Sequence, residues 1–139
     1  MQVDPLVLNQ IGAVLVRISY LADYGTLDEY LANLTADARW TITSLDGTSH
    51  TDERAAIEAG IRRRRAQGLQ GPGSGARHVV TTVQAVLNED GTALALSYFT
   101  MFHHITSDPR IVSMGRYHDL LRRNQDGDWQ IISRTVTRD

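Results

Sequence analysis

Apolar residues recur at spacings of three and four between Pro5 and Tyr24, at Leu8, Ile11, Leu15, Ile18 and Leu21/Ala22. This is the period of a helix that buries one stripe. Gly25 ends it. Thr26 is placed to cap a second, shorter helix through Ala32, with Asp28 and Glu29 in a first turn where negative charge is favoured. Leu27, Tyr30, Leu31 and Leu34 supply its apolar positions. Ala38 to Ser44 then alternates Trp40, Ile42 and Ser44 against Arg39, Thr41 and Thr43, a half-buried strand that ends at the Asp46-Gly47 turn. Thr51 or Asp52 is the expected cap of a third helix reaching about Gln67. The glycine-rich stretch from Gly68 to Gly75 carries no repeating phosphate-loop pattern and reads as a mobile connection.

Beyond Gly75 the period changes to two, in Arg77–Leu87, Thr92–Thr106, Ile111–Asn124 and Trp129–Arg138. Turn signals separate these runs: Glu89-Asp90-Gly91, Ser107-Asp108-Pro109 and Asp126-Gly127-Asp128. Four long strands joined by short turns form an antiparallel meander. Helices gathered at the front with a long, coiled sheet behind them predict one α+β domain over residues 1–139, in which the sheet curls into a cone closed by the helices. The interior of that cone is the natural ligand site.

Composition narrows the chemistry. A chain of 139 residues, 42% hydrophobic and 22% charged, can bury a core without staples. The absence of cysteine excludes disulfides, thiolate metal sites, iron–sulfur clusters and a cysteine nucleophile. The start, Met1-Gln2-Val3-Asp4-Pro5, lacks the basic residues and apolar run of a leader, and no stretch reaches the roughly 18 apolar residues of a membrane span. A cytoplasmic protein with no membrane partner is expected. A net charge of −2 gives no reason to expect a nucleic-acid partner. The basic run Arg62–Arg65 continues the spacing of Ala55, Ile57 and Ile61, so it reads as the solvated side and end of the third helix, where arginine suits the dipole. His50 falls in a loop before a cap. No histidine pair has metal-binding helical spacing, and His103 and His104 face opposite sides of an unbroken strand, so no metal is expected.

Three positions carry candidate chemistry: Asp23 near the end of the first helix, His78 at the start of the first long strand, and His103 near the end of the next. A hairpin turning near Asp90 to Gly91 places His78 opposite residues 102 to 104, which makes His78 and His103 cross-strand neighbours. Val80 shares the face of His78, and Met101, Phe99 and Ser97 that of His103. Read chemically, the carboxylate of Asp23 holds one imidazole nitrogen and leaves the other to move a proton. Read structurally, Asp23 is a helix-end residue facing water and the histidines are half-buried sheet residues.

The runs Tyr20-Leu-Ala-Asp23-Tyr-Gly25-Thr-Leu-Asp28, Leu34-Thr-Ala-Asp37-Ala, Arg77-His78, Gly115-Arg-Tyr117-His-Asp119 and Asp126-Gly-Asp-Trp129 with Ser133-Arg134 resemble, in order and spacing, the SnoaL-like family of the nuclear-transport-factor-2-like superfamily. The site pattern is similar to that of its scytalone dehydratase branch. That resemblance implies catalytic roles for Asp23, His78 and His103. The branch's two tyrosines and its asparagine would fall at Ala22, Ile42 and His118 in this chain, so scytalone is not the implied substrate. Tyr20, Tyr24 or Tyr98 would have to supply a phenol. Trp40 and Trp129 read first as sheet-packing residues and Tyr117 after Gly115 as a bulge. The expected substrate-binding set is Tyr20, Trp40, Ile42, Phe99, Met101 and His118.

The implied function is a cofactor-free dehydratase, isomerase or cyclase acting on a small apolar carbonyl compound. The alternatives are a non-catalytic subunit like the small subunit of aromatic-ring dioxygenases, or a small-molecule-binding protein. A partly apolar outer sheet face predicts a homodimer or homotrimer.

Overall fold

Helical and strand periods separate along the chain much as their hydrophobic patterns require. The computed structural model describes residues 4–139; Met1-Gln2-Val3, on which part of the leader reading rests, lie outside them. Its elements are α1 (Pro5–Tyr24), α2 (Leu27–Leu31), β1 (Leu34–Thr43), β2 (Ser49–Glu53), α3 (Arg54–Ala66), β3 (Arg77–Leu87), β4 (Ala93–His103), β5 (Arg110–Arg123) and β6 (Trp129–Arg138). The strands form one mixed sheet in the order β2-β1-β6-β5-β4-β3. β3 to β6 are the expected antiparallel meander; β1 adds parallel to β6, and β2 folds back antiparallel on β1.

α1 begins where Asp4 accepts a hydrogen bond from the Leu6 N–H (2.9 Å) and Pro5 presets the first turn. It ends at Gly25, where a side chain would collide with that of Leu21. The buried stripe is Val7, Ile11, Val14, Leu15 and Ile18, whereas Leu8 is 36% exposed. The two stripes differ by a small rotation that spacings of three and four cannot resolve, and packing against β3 selects one. Contrary to the expectation that no segment qualifies, α1 is long and apolar enough to cross a membrane by length and composition. In the fold it is a core helix. α2 starts with a capping box, Thr26 and Glu29 each bonding the other's backbone N–H.

Two expectations are corrected. Ser-His-Thr-Asp-Glu over 49–53 is a strand, not a loop and helix cap, and α3 starts at Arg54 with Glu53 as its uncapped entry. A polar five-residue strand has no apolar alternation, so only its pairing with β1 defines it. The glycine-rich connection is a run of defined turns: glycines 68, 71, 73 and 75 all take positive φ, Ser74 Oγ donates to the Gly71 carbonyl (2.7 Å), and Gly75 accepts from Ile105 N–H (3.3 Å).

Irregularities in pairing bend the sheet. Register slips between Thr81 and Gln84, between Met101 and Phe102, and between Leu120 and Leu121. At the last, Leu121 faces Ile131 and Leu120 faces Ser133, leaving Ile132 extra on β6. Trp129 and Ile131 are therefore buried on one side of the bulge and Arg134 on the other. Ile11, Leu15, Ala93, Ala95, Leu121 and Ile131 fill one end of the cone with core. The other end is left open as a cavity.

Candidate active site

The cavity has a volume of about 650 Å³ and is walled by the end of α1, by α3, and by the inward faces of β1 and β3 to β6. Asp23 lies in the last turn of α1, one turn beyond the buried Ser19, and it is only 3% exposed. Both of its oxygens are used on one residue. Oδ2 accepts the His78 backbone N–H at 2.9 Å, and Oδ1 lies 2.7 Å from His78 Nδ1. A carboxylate can only accept, so Nδ1 carries the proton, and in the neutral imidazole Nε2 keeps its lone pair. His78 itself forms part of the cavity wall. Asp23 therefore does not face water, and the convergence of these two side chains is present as expected.

His103 does not join them. The register at the hairpin is as expected, but the bulge at Thr82 and Val83, with Thr82 at φ 57°, shifts the pairing so that His78 faces Met101. His103 is the last residue of β4, paired with Arg110, and is not in the cavity wall. Of the expected binding residues, Trp40, Ile42, Phe99 and Met101 line the cavity. Tyr20 does not: two residues from both Ile18 and Ala22, it sits about 200° around the helix from them and is 63% exposed. His118 also points outward, because Tyr117 and Asp119 on either side of it take the inward positions of β5. Tyr24 and Tyr98 are exposed too.

The phenols of the cavity come from residues read as structural. Tyr30 of α2 and Tyr117 of β5 are buried and form part of the wall. Burial raises both pKa values, with the nearby Arg134 only partly opposing it, so both hydroxyls stay protonated and able to donate at neutral pH. Tyr117 stacks on Phe99 (4.6 Å between centroids, 16°) on one side, and the Arg134 guanidinium lies 3.9 Å from its ring centroid. Arg134 is in turn fixed by a bidentate pair with the fully buried Asp119, at 2.7 and 2.9 Å. Burial alone would lower the Arg134 pKa, but the Asp119 carboxylate holds it above the ordinary value. Strand parity from Gly115 would have pointed to Tyr117 and Asp119; nothing local pointed to Arg134, which the bulge turns inward.

The basic run is only partly solvated. Arg62 pairs with Glu58 at the surface, as expected (2.7 Å). Arg65 folds back to the end of α1, donating to the carbonyls of Gly25 (2.8 Å) and Leu21 (3.2 Å), while Arg63 and Arg64 reach the cavity wall. His50 and Asp52 of β2 also lie in that wall, 3.7 Å apart. Among the described residues no three His, Asp or Glu side chains form a group that could hold a metal ion.

The model of a family described as SnoaL-like domain matches residues 7–135. No curated protein matches the chain in sequence. Among solved structures, an NTF2-like protein with a cystatin-like fold from Novosphingobium aromaticivorans is 20% identical, over 94% of this chain and 80% of that one, with a TM-score of 0.74. A Catenulispora acidiphila protein in complex with S-DNPA is 20% identical, over 98% and 96%, with a TM-score of 0.78. The beta subunit of a presumptive aromatic-ring-hydroxylating dioxygenase from N. aromaticivorans is 14% identical, over 96% and 90%, with a TM-score of 0.76. At these identities the likeness establishes the shared fold.

Proposed function

Since the chain belongs to the SnoaL-like domain family, we propose that it is a cofactor-independent acid–base enzyme, a dehydratase, isomerase or cyclase, acting on a small carbonyl compound held in the cavity. One observation carries the reading: a buried aspartate commits both oxygens to His78, which fixes the tautomer that leaves Nε2 as a base at the cavity wall. Nε2 takes a proton from the carbon next to the substrate carbonyl. The imidazolium so formed is stabilised by Asp23, and the enolate oxygen accepts hydrogen bonds from Tyr30 and Tyr117, which replace the phenols sought at Tyr20, Tyr24 or Tyr98. Returning the proton to a departing hydroxyl gives elimination, and returning it to another carbon gives isomerisation. Attack of the enolate on a second carbonyl gives cyclisation. His103 has no part in this scheme. The assembly proposed with it is a homodimer or homotrimer.

Enolisation is common to all three outcomes, so it can be tested without the natural substrate. NMR in D₂O follows exchange of the α-protons of 2-tetralone, a bicyclic ketone. The wild-type protein is expected to exceed His78→Ala by roughly 10²-fold or more, the scale of one positioned base. Asp23→Asn is expected to lose a comparable factor while keeping its melting temperature, because the amide favours the wrong tautomer. Exchange at the solvent rate with wild-type protein would instead favour a binding protein or a non-catalytic subunit, the role implied by likeness to a dioxygenase beta subunit.

A further inference from the structure

The cavity holds more positive charge than its own residues neutralise. Asp119 occupies Arg134, and backbone carbonyls at the end of α1 occupy Arg65. Arg64 is half-buried, its Nε is fully buried without a hydrogen-bond partner, and among the described residues its guanidinium is in no ion pair. Its guanidinium packs against Gly60. A Cβ there would stand 3.1 Å from Arg64 Nη1, closer than ordinary contact, and 3.7 Å from Arg63 Nη2, so both guanidiniums lie over this buried glycine. Arg63 and, across the wall, Arg138 likewise have no ion-pair partner among the described residues. Burial pulls the Arg64 pKa below its ordinary value; Tyr30 and Asp52 oppose this, and Arg63 and Arg138 add to it, and all four groups line the same cavity. The other acids near the cavity are committed, Asp23 to His78 and Asp119 to Arg134. Asp52, set against His50, is the one carboxylate facing the three cations.

A half-buried arginine in no ion pair, with an exposed arginine beside it, can bind an oxyanion, because guanidinium N–H groups match its acceptors and are weakly hydrated. We propose that Arg63 and Arg64, with Arg138, form an anion subsite of this cavity and that its ligand is a carbonyl compound bearing a carboxylate. Asp52 in the same wall favours a singly charged group over a phosphate dianion. The apolar wall of Ile18, Ala22, Ile42, Phe99 and Met101 takes the ring system and the arginines take the acid. The proposal rests on reading the cavity as a substrate site, but not on His78 being a base.

Calorimetric titration with 2-naphthoate, methyl 2-naphthoate and 2-naphthyl phosphate tests it. The wild-type protein is expected to bind the acid at least about tenfold more tightly than the ester, with added salt weakening only the charged probes. Arg64→Gln is expected to erase that preference by weakening the acid and not the ester, and Arg63→Gln to reduce it. The melting temperature of Arg64→Gln should not fall, since an unpaired, desolvated cation is a cost to the folded state. His78→Ala should keep the preference for the acid. Equal binding of acid and ester, no binding of the acid, a preference that survives Arg64→Gln in folded protein, or phosphate binding tenfold above carboxylate would each overturn the proposal. A wild-type preference for the acid without tetralone exchange would uphold it and sink the acid–base reading instead.

Discussion

Asp23 is buried and commits both oxygens to His78, and this is what separates a proton-transfer site from a surface carboxylate near a histidine. The same scale shows what Tyr30 and Tyr117 contribute. Burial raises both phenol pKa values above the ordinary 10. Below that value folded and unfolded chains both keep these protons, so stability is unaffected. As pH rises through it, the unfolded chain releases protons that the folded chain retains, and stability falls. Tyr30→Phe and Tyr117→Phe are therefore each expected to leave the native phenolate absorbance titration unchanged near pH 10. Both groups should ionise only as circular dichroism reports unfolding. A native titration that loses one phenolate in either variant would contradict the assignment. Asp23 and His78 were legible through the resemblance of the runs around them to the SnoaL-like family; their spacing alone also fitted a water-facing helix end and a half-buried strand. The place of His103 was not, because the bulge at Thr82 shifts each later pair by one residue and leaves His103 beyond the first residue of β3.

At the scale of elements, two glycines show how differently helix and sheet treat the same residue. Gly12 lies inside α1 with nothing within 4 Å of a Cβ placed there, whereas a Cβ at Gly115 in β5 would overlap the Thr137 carbonyl oxygen and sit 3.0 Å from Arg138 Cα. Gly12→Ala is expected to raise stability by about 0.5–1 kcal/mol through backbone entropy. Gly115→Ala is expected to lower it by about 1–3 kcal/mol, because β6 backbone must move and cannot rotate aside as a side chain would. Chemical denaturation of both variants checks the pair of signs. Gly115 pairs with Arg138 and lies two residues from Tyr117, both in the cavity wall, so the cost at Gly115 falls on the cavity as well as on the sheet. Long amphipathic elements, α1 and β3 to β6, were legible from their periods. β2 was not, since five polar residues become a strand only by pairing with β1.

The whole molecule divides its interior into a packed end and an open end, and its outer sheet face is not wholly polar. Val79, Leu94, Tyr98, Ile111, Val112 and Met114 are all exposed large apolar side chains on β3, β4 and β5. Covering such a face is favourable at roughly 25 cal/mol per Å² of apolar area, so self-association through it is the expected outcome. Light scattering at micromolar concentration should report a dimer or trimer. Replacing Tyr98 and Met114 with Asp should return it to monomer, and a wild-type monomer would reject the assembly. The cone itself, helices in front of a curved meander, follows from the order of the patterns and agrees with the fold of the solved structures it resembles.

Local interactions were determined by the sequence alone: where α1 and α2 start and stop, which runs alternate, where Asp-Gly turns reverse the chain, and that a helix-end aspartate and a strand histidine were available to meet. Only the tertiary structure decided which face of α1 is buried, that β1 joins β6 in parallel, and that Tyr30, Tyr117, Arg134 and Arg64 enter the cavity while Tyr20, His103 and His118 do not. For the strand residues among these, the reason is that side chains alternate with a period of two. A single extra residue, at Thr82 or Ile132, reverses inside and outside for all that follows, and its position is set by curvature and long-range packing rather than by the residues on either side of it.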